Sequence, residues 1–448
     1  MAREMKDSGV AWIGEIPEKW NLYRIKSCIT DRTSGAWGND AKNSEGDIVC
    51  LRIADFDYDK FRFKDTPIEE LTIRNYDTST IEKLLLNNGD ILVEKSGGGD
   101  KTPVGRTVIF DKKYPSLYAN FMDRLRCSDK VLSEWMQYIF VTFYKNDYSR
   151  NYIKQTTGIQ NLDLTSMLSN ERIPVPNLIE QKSIVKVINE KCLCIDSIIE
   201  KTRSSIEEYK KLKQSVITEA VTKGIRPNRE MKDSGIEWIG EIPTEWRLSK
   251  IKVGVTKVGS GKTPSGGADV YSDEGVLFLR SQNIYDTGLI LDPPTYIPSE
   301  IHEEMKNTRV VPNDVLLNIT GGSIGRCCIF LSEFAEANVN QHVSIIRVIK
   351  DIFIPEFMHL YWVSYLGKMS IQLYQTGGNR EGMTAEAIKN SPIPIPSIPE
   401  QSEIVAYLNE KTAAIDSLIK KKEQLISELE SYKKSLIYEY VTGKKEVV

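Results

Sequence analysis

The chain has 448 residues, 40% of them hydrophobic and 27% charged, with a formal net charge of −3. That length exceeds one compact core and suggests roughly two to four domains, and the composition excludes disordered and collagen-like chains. The slight acidic excess argues against a nucleic-acid binder that works alone, since such domains usually carry surplus Lys and Arg for phosphate; a DNA-binding reading therefore needs partners that supply part of that charge.

Met1 to Asp7 is charged with no apolar core behind it, and no run of about 18 apolar residues occurs anywhere, so neither a signal peptide nor a membrane span is expected and the predicted location is cytoplasmic. The seven cysteines agree, because an odd number at irregular spacing is a poor disulfide framework.

In chain order, Met5 to Trp20 reads MKDSGVAWIGEIPEKW, and the segment returns as MKDSGIEWIGEIPTEW from Met231 to Trp246, with twelve of the sixteen positions identical. This is an internal duplication, displaced by 226 residues between Met5 and Met231. Weaker echoes follow. Leu51-Arg52 matches Leu279-Arg280. Asp90-Ile-Leu with Gly97, Gly98, Gly105 and Arg106 matches Asp314-Val-Leu with Gly321, Gly322, Gly325 and Arg326. Gln155-Thr156 with Gly158 matches Gln375-Thr376 with Gly378, and IPVPNLIEQ from Ile173 matches IPIPSIPEQ from Ile393.

Within each copy, short β-branched runs such as Arg106 to Phe110 and Val343 to Val348, bounded by Gly, Asn and Asp, predict strands. Helical patches at Leu132 to Tyr144 and Pro355 to Tyr374 are interspersed, which makes the fold class α+β with an order of strands that the sequence leaves open. After Glu180 the period becomes helical. Ile188, Ile195, Thr202, Tyr209 and Val216 recur every seven residues with Ile198 and Leu212 between them. The second copy offers Leu408, Ile415, Lys422, Leu429 and Leu436 with Leu418 and Tyr432. Neither stretch meets a Gly until Gly224 and Gly443, so each predicts a helix of some 40 residues, about 60 Å long, that cannot bury its seam alone. Two pairings are open: the two copies pack antiparallel within the chain, or the helices dimerise separate chains. Duplication favours the first, with polar Thr202 and Lys422 fixing register. The predicted domains are 1–176 and 227–396, globular, and 177–226 and 397–448, helical.

Catalytic chemistry finds little footing. His302, His342 and His359 stand alone, without a second ligand at metal or triad spacing. Gly261-Lys-Thr263 looks like the end of a phosphate-binding loop, but position 256, where that motif needs Gly, is Thr. Asp292-Pro-Pro-Thr295 looks like an adenine methyltransferase tetrapeptide, but Thr stands where an aromatic should stack on the flipped base, so a turn is expected.

The MKDSGxxWIGEIP opening of both halves, Gly261-Lys-Thr-Pro264, the Leu-Arg pairs followed by Asp55 or Asn283, the Gln-Thr-x-Gly segments and the IPxPxxxEQ entry to a long helix together resemble the specificity subunits of type I DNA restriction-modification enzymes. The first half departs by offering Thr33 to Gly38 where the second has Gly-Lys-Thr-Pro. The resemblance implies a non-catalytic subunit with two pseudo-twofold-related target-recognition domains separated by two long antiparallel coiled-coil helices. It would read a bipartite asymmetric site in double-stranded DNA. The helices would bind two methyltransferase subunits and, through them, restriction subunits; S-adenosylmethionine, ATP and Mg would belong to those partners and no cofactor to this chain. The competing reading is a coiled-coil interaction scaffold that binds no nucleic acid.

Under the DNA reading, residues common to both halves should grip phosphate: Arg52 with Arg280, Arg106 with Arg326, Asn120 with Asn338, and Thr156 with Thr376. Residues that differ should read bases: Lys95, Lys101, Gln160, Asn161, Lys262, Ser281, Gln282, Asn283, Asn379 and Arg380, since Arg and Lys favour guanine while Asn and Gln favour adenine. Lysines of the helices, such as Lys210, Lys211, Lys213 and Lys420 to Lys422, are expected to flank the seam in solvent.

Overall fold

The computed structural model describes residues 3–99, 102–156, 158–334, 336–375 and 382–447, with only the backbone at Thr156. The chain divides into two compact units, Met1–Thr202 with Gln424–Val448, and Arg203–Glu423. Each unit thus holds one globular domain and a part of each long helix.

The duplicated opening folds as the same hairpin in both units. In the first, β1 (Met5–Asp7) pairs antiparallel with β2 (Glu15–Pro17). The Asp-Ser-Gly triplet turns the chain because the Asp7 carboxylate accepts the Gly9 N–H at 3.0 Å and the Ser8 hydroxyl the Val10 N–H at 3.1 Å. Ile13, Ile16 and Trp20 are buried in the unit's core.

Behind the hairpin lie β3 (Ile29–Ser34), β4 (Asp47–Leu51), β5 (Ile91–Glu94), β6 (Thr107–Ile109), β7 (Ser116–Tyr118) and β8 (Met122–Cys127). Strands β3, β8, β5 and β6 neighbour one another in that order, all antiparallel. β4 and β7 pair in parallel in a second sheet. The run Ile91-Leu-Val-Glu94 is buried throughout because β5 is covered on both faces. Ile91 and Val93 join the core beneath helix α1 (Ser133–Lys145), whereas Leu92 joins the core of the second sheet. After α1 comes the 46-residue helix α2 (Leu178–Lys223).

The second unit repeats this plan. Its hairpin is β9 (Met231–Asp233) with β10 (Glu241–Pro243), and the same Asp and Ser bonds form at Asp233 and Ser234. Next come β11 (Val255–Ser260), β12 (Val276–Leu279), β13 (Val315–Asn318), β14 (Cys327–Ile329), β15 (Ala337–Val339) and β16 (Val343–Val348). The order β11-β16-β13-β14 matches the first unit, and β12 pairs with β15 in parallel. Val315 and Leu317 face the core shared with α3 (Pro355–Val363), and Leu316 faces the second sheet. The buried aspartates at the start of β5 and β13 hold turns and charges alike. Asp90 accepts the Asn87 N–H and pairs with Arg126 at 3.0 Å; Asp314 accepts the Val311 N–H and pairs with Arg347 at 2.7 Å. The chain ends with the 44-residue helix α4 (Ile398–Val441).

The Glu-Gln that closes the IPxPxxxEQ segment fastens each long helix to its domain. Gln181 and Gln401 are fully buried. Gln181 accepts the Leu132 N–H at 2.9 Å and donates to the Lys130 and Pro176 carbonyls; Gln401 makes the same three bonds to Ile354, Ile352 and Pro396. Glu400 accepts from Arg229 and from the Trp246 indole, and Glu180 pairs with Arg3. Both helices stop at a glycine with φ of +74°, Gly224 and Gly443, a conformation that a side chain would strain.

α2 and α4 run antiparallel inside each unit. In the first, Leu436, Ile437, Tyr440 and Val441 share a core with Ile184, Val185, Ile188 and Cys192; in the second, Ile217, Ala220 and Val221 share one with Ile404, Val405 and Leu408. The ion pairs are reciprocal: Lys433 with Asp196 in the first unit, Lys213 with Asp416 in the second, both at 2.7 Å. Each member of one pair lies 220 residues from its counterpart in the other, Asp196 to Asp416 and Lys213 to Lys433. By this exchange of roles each unit builds the same helix–helix contact with the two copies of the sequence interchanged.

The seam differs in two respects from the sequence expectation. Ile188, Ile195 and Thr202 are buried, but the positions between them are Cys192, Ile199 and Ile206, not Ile198 and Leu212, which are 41% and 48% exposed. In α4, likewise, Leu418 and Tyr432 are exposed and Lys433 is buried. The intervening knob follows the heptad residue by four positions rather than three. Thr202 bonds back to its own helix at the Ile198 carbonyl, and Lys422 lies over the Tyr209 ring, so the direct cross-helix ion pairs run through Lys213 and Lys433 rather than through these two.

The two ion pairs differ in burial, with side-chain exposures of 8% and 19% for Lys433 and Asp196 but 27% and 51% for Lys213 and Asp416. Lys433 also donates to the Asp59 carbonyl and lies over the Phe61 ring. Lys433→Ala is therefore expected to destabilise the first unit by about 3–5 kcal/mol. Lys213→Ala should cost at most about 1 kcal/mol. Urea denaturation of the two variants checks the difference.

Candidate DNA interface

The β5–β6 and β13–β14 hairpins meet neighbouring loops that carry several of the candidate residues, Lys95 bonding Ser34 and Ser96 bonding Asn161 in the first unit and Asn318 bonding Ser281 in the second. In the first unit, Arg52 opens a tight turn: its N–H reaches the Asp55 carboxylate at 2.7 Å and its guanidinium the same group at 3.2 Å, with the side chain 39% exposed. Arg280 is built alike, its N–H bonded to Asn283 at 2.9 Å and its guanidinium to Thr295 at 3.0 Å. Asp55 and Asn283 are thus one structural device in two chemistries, and Asn283, buried, also donates to the Ile290 carbonyl. Thr295, the last residue of the methyltransferase-like tetrapeptide, supports this turn.

Gly35 and Gly261 explain the Gly-Lys-Thr-Pro segment. A Cβ on Gly261 would lie 1.9 Å from the Val339 carbonyl oxygen, and one on Gly35 2.4 Å from those of Tyr118 and Ala119. Gly35 N–H bonds the Met122 carbonyl and Gly261 N–H the Val343 carbonyl, so the two are equivalent, and glycine is needed for close strand packing. Lys262 next to it is exposed.

Several of the candidate residues make bonds within the fold. Lys95 bonds Ser34 at 2.8 Å and pairs at 2.7 Å with Asp123, whose carboxylate is completely buried and also takes bonds from Ser34 and Arg32. Gln160 is buried and accepts the Val104 N–H, while Asn161 is exposed and accepts from Ser96 at 2.6 Å. Arg106 forms a bidentate pair with buried Glu94 at 2.6 and 2.7 Å, and its guanidinium lies 3.6 Å over the Tyr58 ring.

Asn120 and Asn338 are not counterparts. Ala119 N–H bonds the Leu51 carbonyl as Asn340 N–H bonds that of Leu279, which sets Asn120 level with Gln341. Asn120 and Gln341 are exposed, whereas Asn338 is fully buried and bonded to Met305, Thr308 and His302. The Asn338 amide holds the core together and has no access to a ligand. The carbonyl of Ser281 accepts from Asn318, Gln282 is exposed, and Arg326 lies over the Tyr285 ring at 4.6 Å. Lys101, Thr376, Asn379, Arg380 and the Thr156 side chain lie outside the described residues.

Composition and periodicity missed Phe121, 50% exposed beside Asn120, and Trp37, 41% exposed with Arg74 stacked on it at 4.6 Å. Nothing in a single sequence separates such an exposed aromatic from a core one. The histidines serve packing: His302 bonds Asn338, His342 bonds Thr320 at 2.6 Å, and His359 donates to the Cys327 carbonyl, its pKa lowered by burial. Among the described residues no group of three or more His, Cys, Asp or Glu is placed to hold a metal ion, all seven cysteines are unpaired, and no helix is long and apolar enough to cross a membrane.

Two domains of one plan, each carrying a glycine-flanked hairpin beside exposed polar loops and each fastened to paired helices, define a duplicated recognition module. The family described as the type I restriction modification DNA specificity domain matches residues 17–208 and again 243–428, and the chain belongs to that family. Its members act as non-catalytic specificity subunits. The chain is 24% identical over 377 residues to the MjaVIII specificity subunit of a type I restriction enzyme of Methanocaldococcus jannaschii, covering 82% of this chain and 82% of that one. It is 26% identical over 286 residues to the EcoBI specificity subunit of Escherichia coli, covering 62% and 59%. Among solved structures, a chain from work on complex assembly and conformational transition of the type I R-M system superposes with a TM-score of 0.72 at 15% identity, covering 96% and 99%. The HsdS subunit from Thermoanaerobacter tengcongensis does so with 0.52 at 14% identity, covering 96% and 98%.

The Lys95–Asp123 cluster gives a pH signature. Burial alone would raise the Asp123 pKa, but the bonds from Lys95, Ser34 and Arg32 outweigh it and hold the carboxyl below its usual range. A depressed folded pKa contributes stability that is present above the unfolded value of about 3.9 and is lost as pH falls through the folded one. Asp123→Asn should lower stability at neutral pH and flatten the acid limb of the stability profile, so that the two proteins converge at acid pH; denaturant melts across pH 2–8 read this out.

Proposed function

We propose that this chain reads a bipartite, asymmetric site in double-stranded DNA, each globular domain addressing one half, and that it docks two methyltransferase subunits and, through them, restriction subunits. The observation that carries the reading is a constant framework with unlike tips. The hairpins agree in their backbone bonds, yet the first carries an 11-residue loop, 95–105, where the second carries seven residues, 319–325. Domains that share a fold and differ in the side chains at one end suit half-sites of different sequence.

The outer face of the helices supports two copies of one partner. Ile198 and Tyr432 are exposed in the first unit and Leu212 and Leu418 in the second, and the members correspond at a displacement of 220 residues, Ile198 to Leu418 and Leu212 to Tyr432. Equivalent apolar positions present one partner with the same contact twice. S-adenosylmethionine, ATP and Mg belong to those partners in this reading.

The purified chain with its methyltransferase partner should retain one duplex sequence selectively, with log affinity falling linearly in log salt. A scaffold without nucleic-acid binding would give no salt-dependent retention, and that result would overturn the reading. Inserting one heptad into both α2 and α4 lengthens each helix by about 10 Å. It should widen the unread gap by about 3 base pairs and leave both half-sites unchanged; an altered half-site would refute the division between reading loops and spacer.

A further inference from the structure

The β5–β6 and β13–β14 hairpins differ at one buried side chain, and that difference changes the state of an arginine. The backbones are equivalent: Glu94 N–H bonds the Arg106 carbonyl at 2.9 Å and Gly105 N–H the Glu94 carbonyl at 3.0 Å, while Asn318 and Gly325 make the same bonds with Arg326 and Asn318 at 2.8 and 2.9 Å. In the first unit Glu94, 1% exposed, takes both prongs of the Arg106 guanidinium. In the second, Asn318 has no charge to offer. Its amide donates to the Ser281 carbonyl at 2.8 Å and the Ser323 hydroxyl at 3.1 Å, and its buried Oδ1 has no hydrogen-bond partner. Among the described residues, no carboxylate pairs with Arg326; its guanidinium lies against the face of Tyr285.

We propose that Arg326, and not Arg106, is the hairpin arginine that contacts DNA, and that residue 94 or 318 decides whether this arginine serves the fold or the nucleic acid. The inference rests on the DNA-reading function proposed above. A guanidinium is always charged and presents its donors as a planar fork, so its natural ligand is a pair of acceptors, guanine O6 and N7 or two phosphate oxygens. Stacking on Tyr285 orients the fork before binding. Among the described residues, a Cβ built on Gly321 or Gly322, in the loop before Arg326, meets nothing within 4 Å.

The test uses the full chain in complex with its methyltransferase partner and a duplex selected from a random library. Arg326→Ala should weaken binding roughly 5- to 150-fold. Asn318→Glu, which offers Arg326 the carboxylate that Glu94 gives Arg106, should weaken it comparably, with the melting temperature recorded because the Ser281 carbonyl loses its amide donor. Arg106→Ala should instead lower the melting temperature, by leaving Glu94 buried and unpaired. If Asn318→Glu fails to fold, Arg326→Ala and Arg326→Lys, at a half-buried position, carry the test. Loss of discrimination at one base pair assigns a guanine contact, whereas uniform weakening with a shallower salt slope assigns phosphate. Selective binding by the parent chain with Arg326→Ala indistinguishable from it overturns the arginine assignment alone; absence of any selective binding by the parent overturns the function and this inference together.

Discussion

The antiparallel pairing of the two long helices within each unit is the constraint from which the rest of the structure follows. A helix of 46 or 44 residues has an apolar seam too long to leave in water, and each unit closes it by supplying a stretch of both helices. The first unit therefore needs residues 424–448 from the far end of the chain. Reciprocal Lys–Asp pairs fix the register, since a slip of one heptad would leave Lys433 buried without Asp196.

This arrangement explains which residues the duplication keeps. The MKDSG and WIGEIP segments are a hairpin whose isoleucines and tryptophan fill the junction with a helix C-terminus. The Gln of the EQ pair ties the N-terminus of a long helix to three backbone groups of the domain before it. Two of the motifs that make the family recognisable, the hairpin opening and the IPxPxxxEQ entry, are the joints between domain and helix. The loops beyond β5 and β13 bear none of that load and are free to diverge in length and chemistry.

The duplication, the α+β class and the long helices were legible because each rests on a pattern repeated over many residues. The knob between heptad positions was not. Ile198 and Ile199 are adjacent isoleucines, both compatible with a helical period, and only the facing helix selects Ile199. Asn120 and Asn338 match by residue type, yet three positions separate Asn338 from the true counterpart, Gln341, because loops of unequal length displace the numbering.

Arg106 and Arg326 show where the logic of a duplicated sequence fails at the site itself. Identity between two copies implies a common task only if the neighbours are also the same, and here the deciding neighbour lies twelve residues upstream of Arg106, at Glu94, but eight upstream of Arg326, at Asn318. A bidentate bond to a buried carboxylate fixes one guanidinium in the fold; an uncharged amide leaves the other against an aromatic face, with no carboxylate partner among the described residues. The strand pairing brings residue and neighbour together across a loop whose length differs between the copies, so the relation exists in the hairpin and has no fixed spacing in the chain.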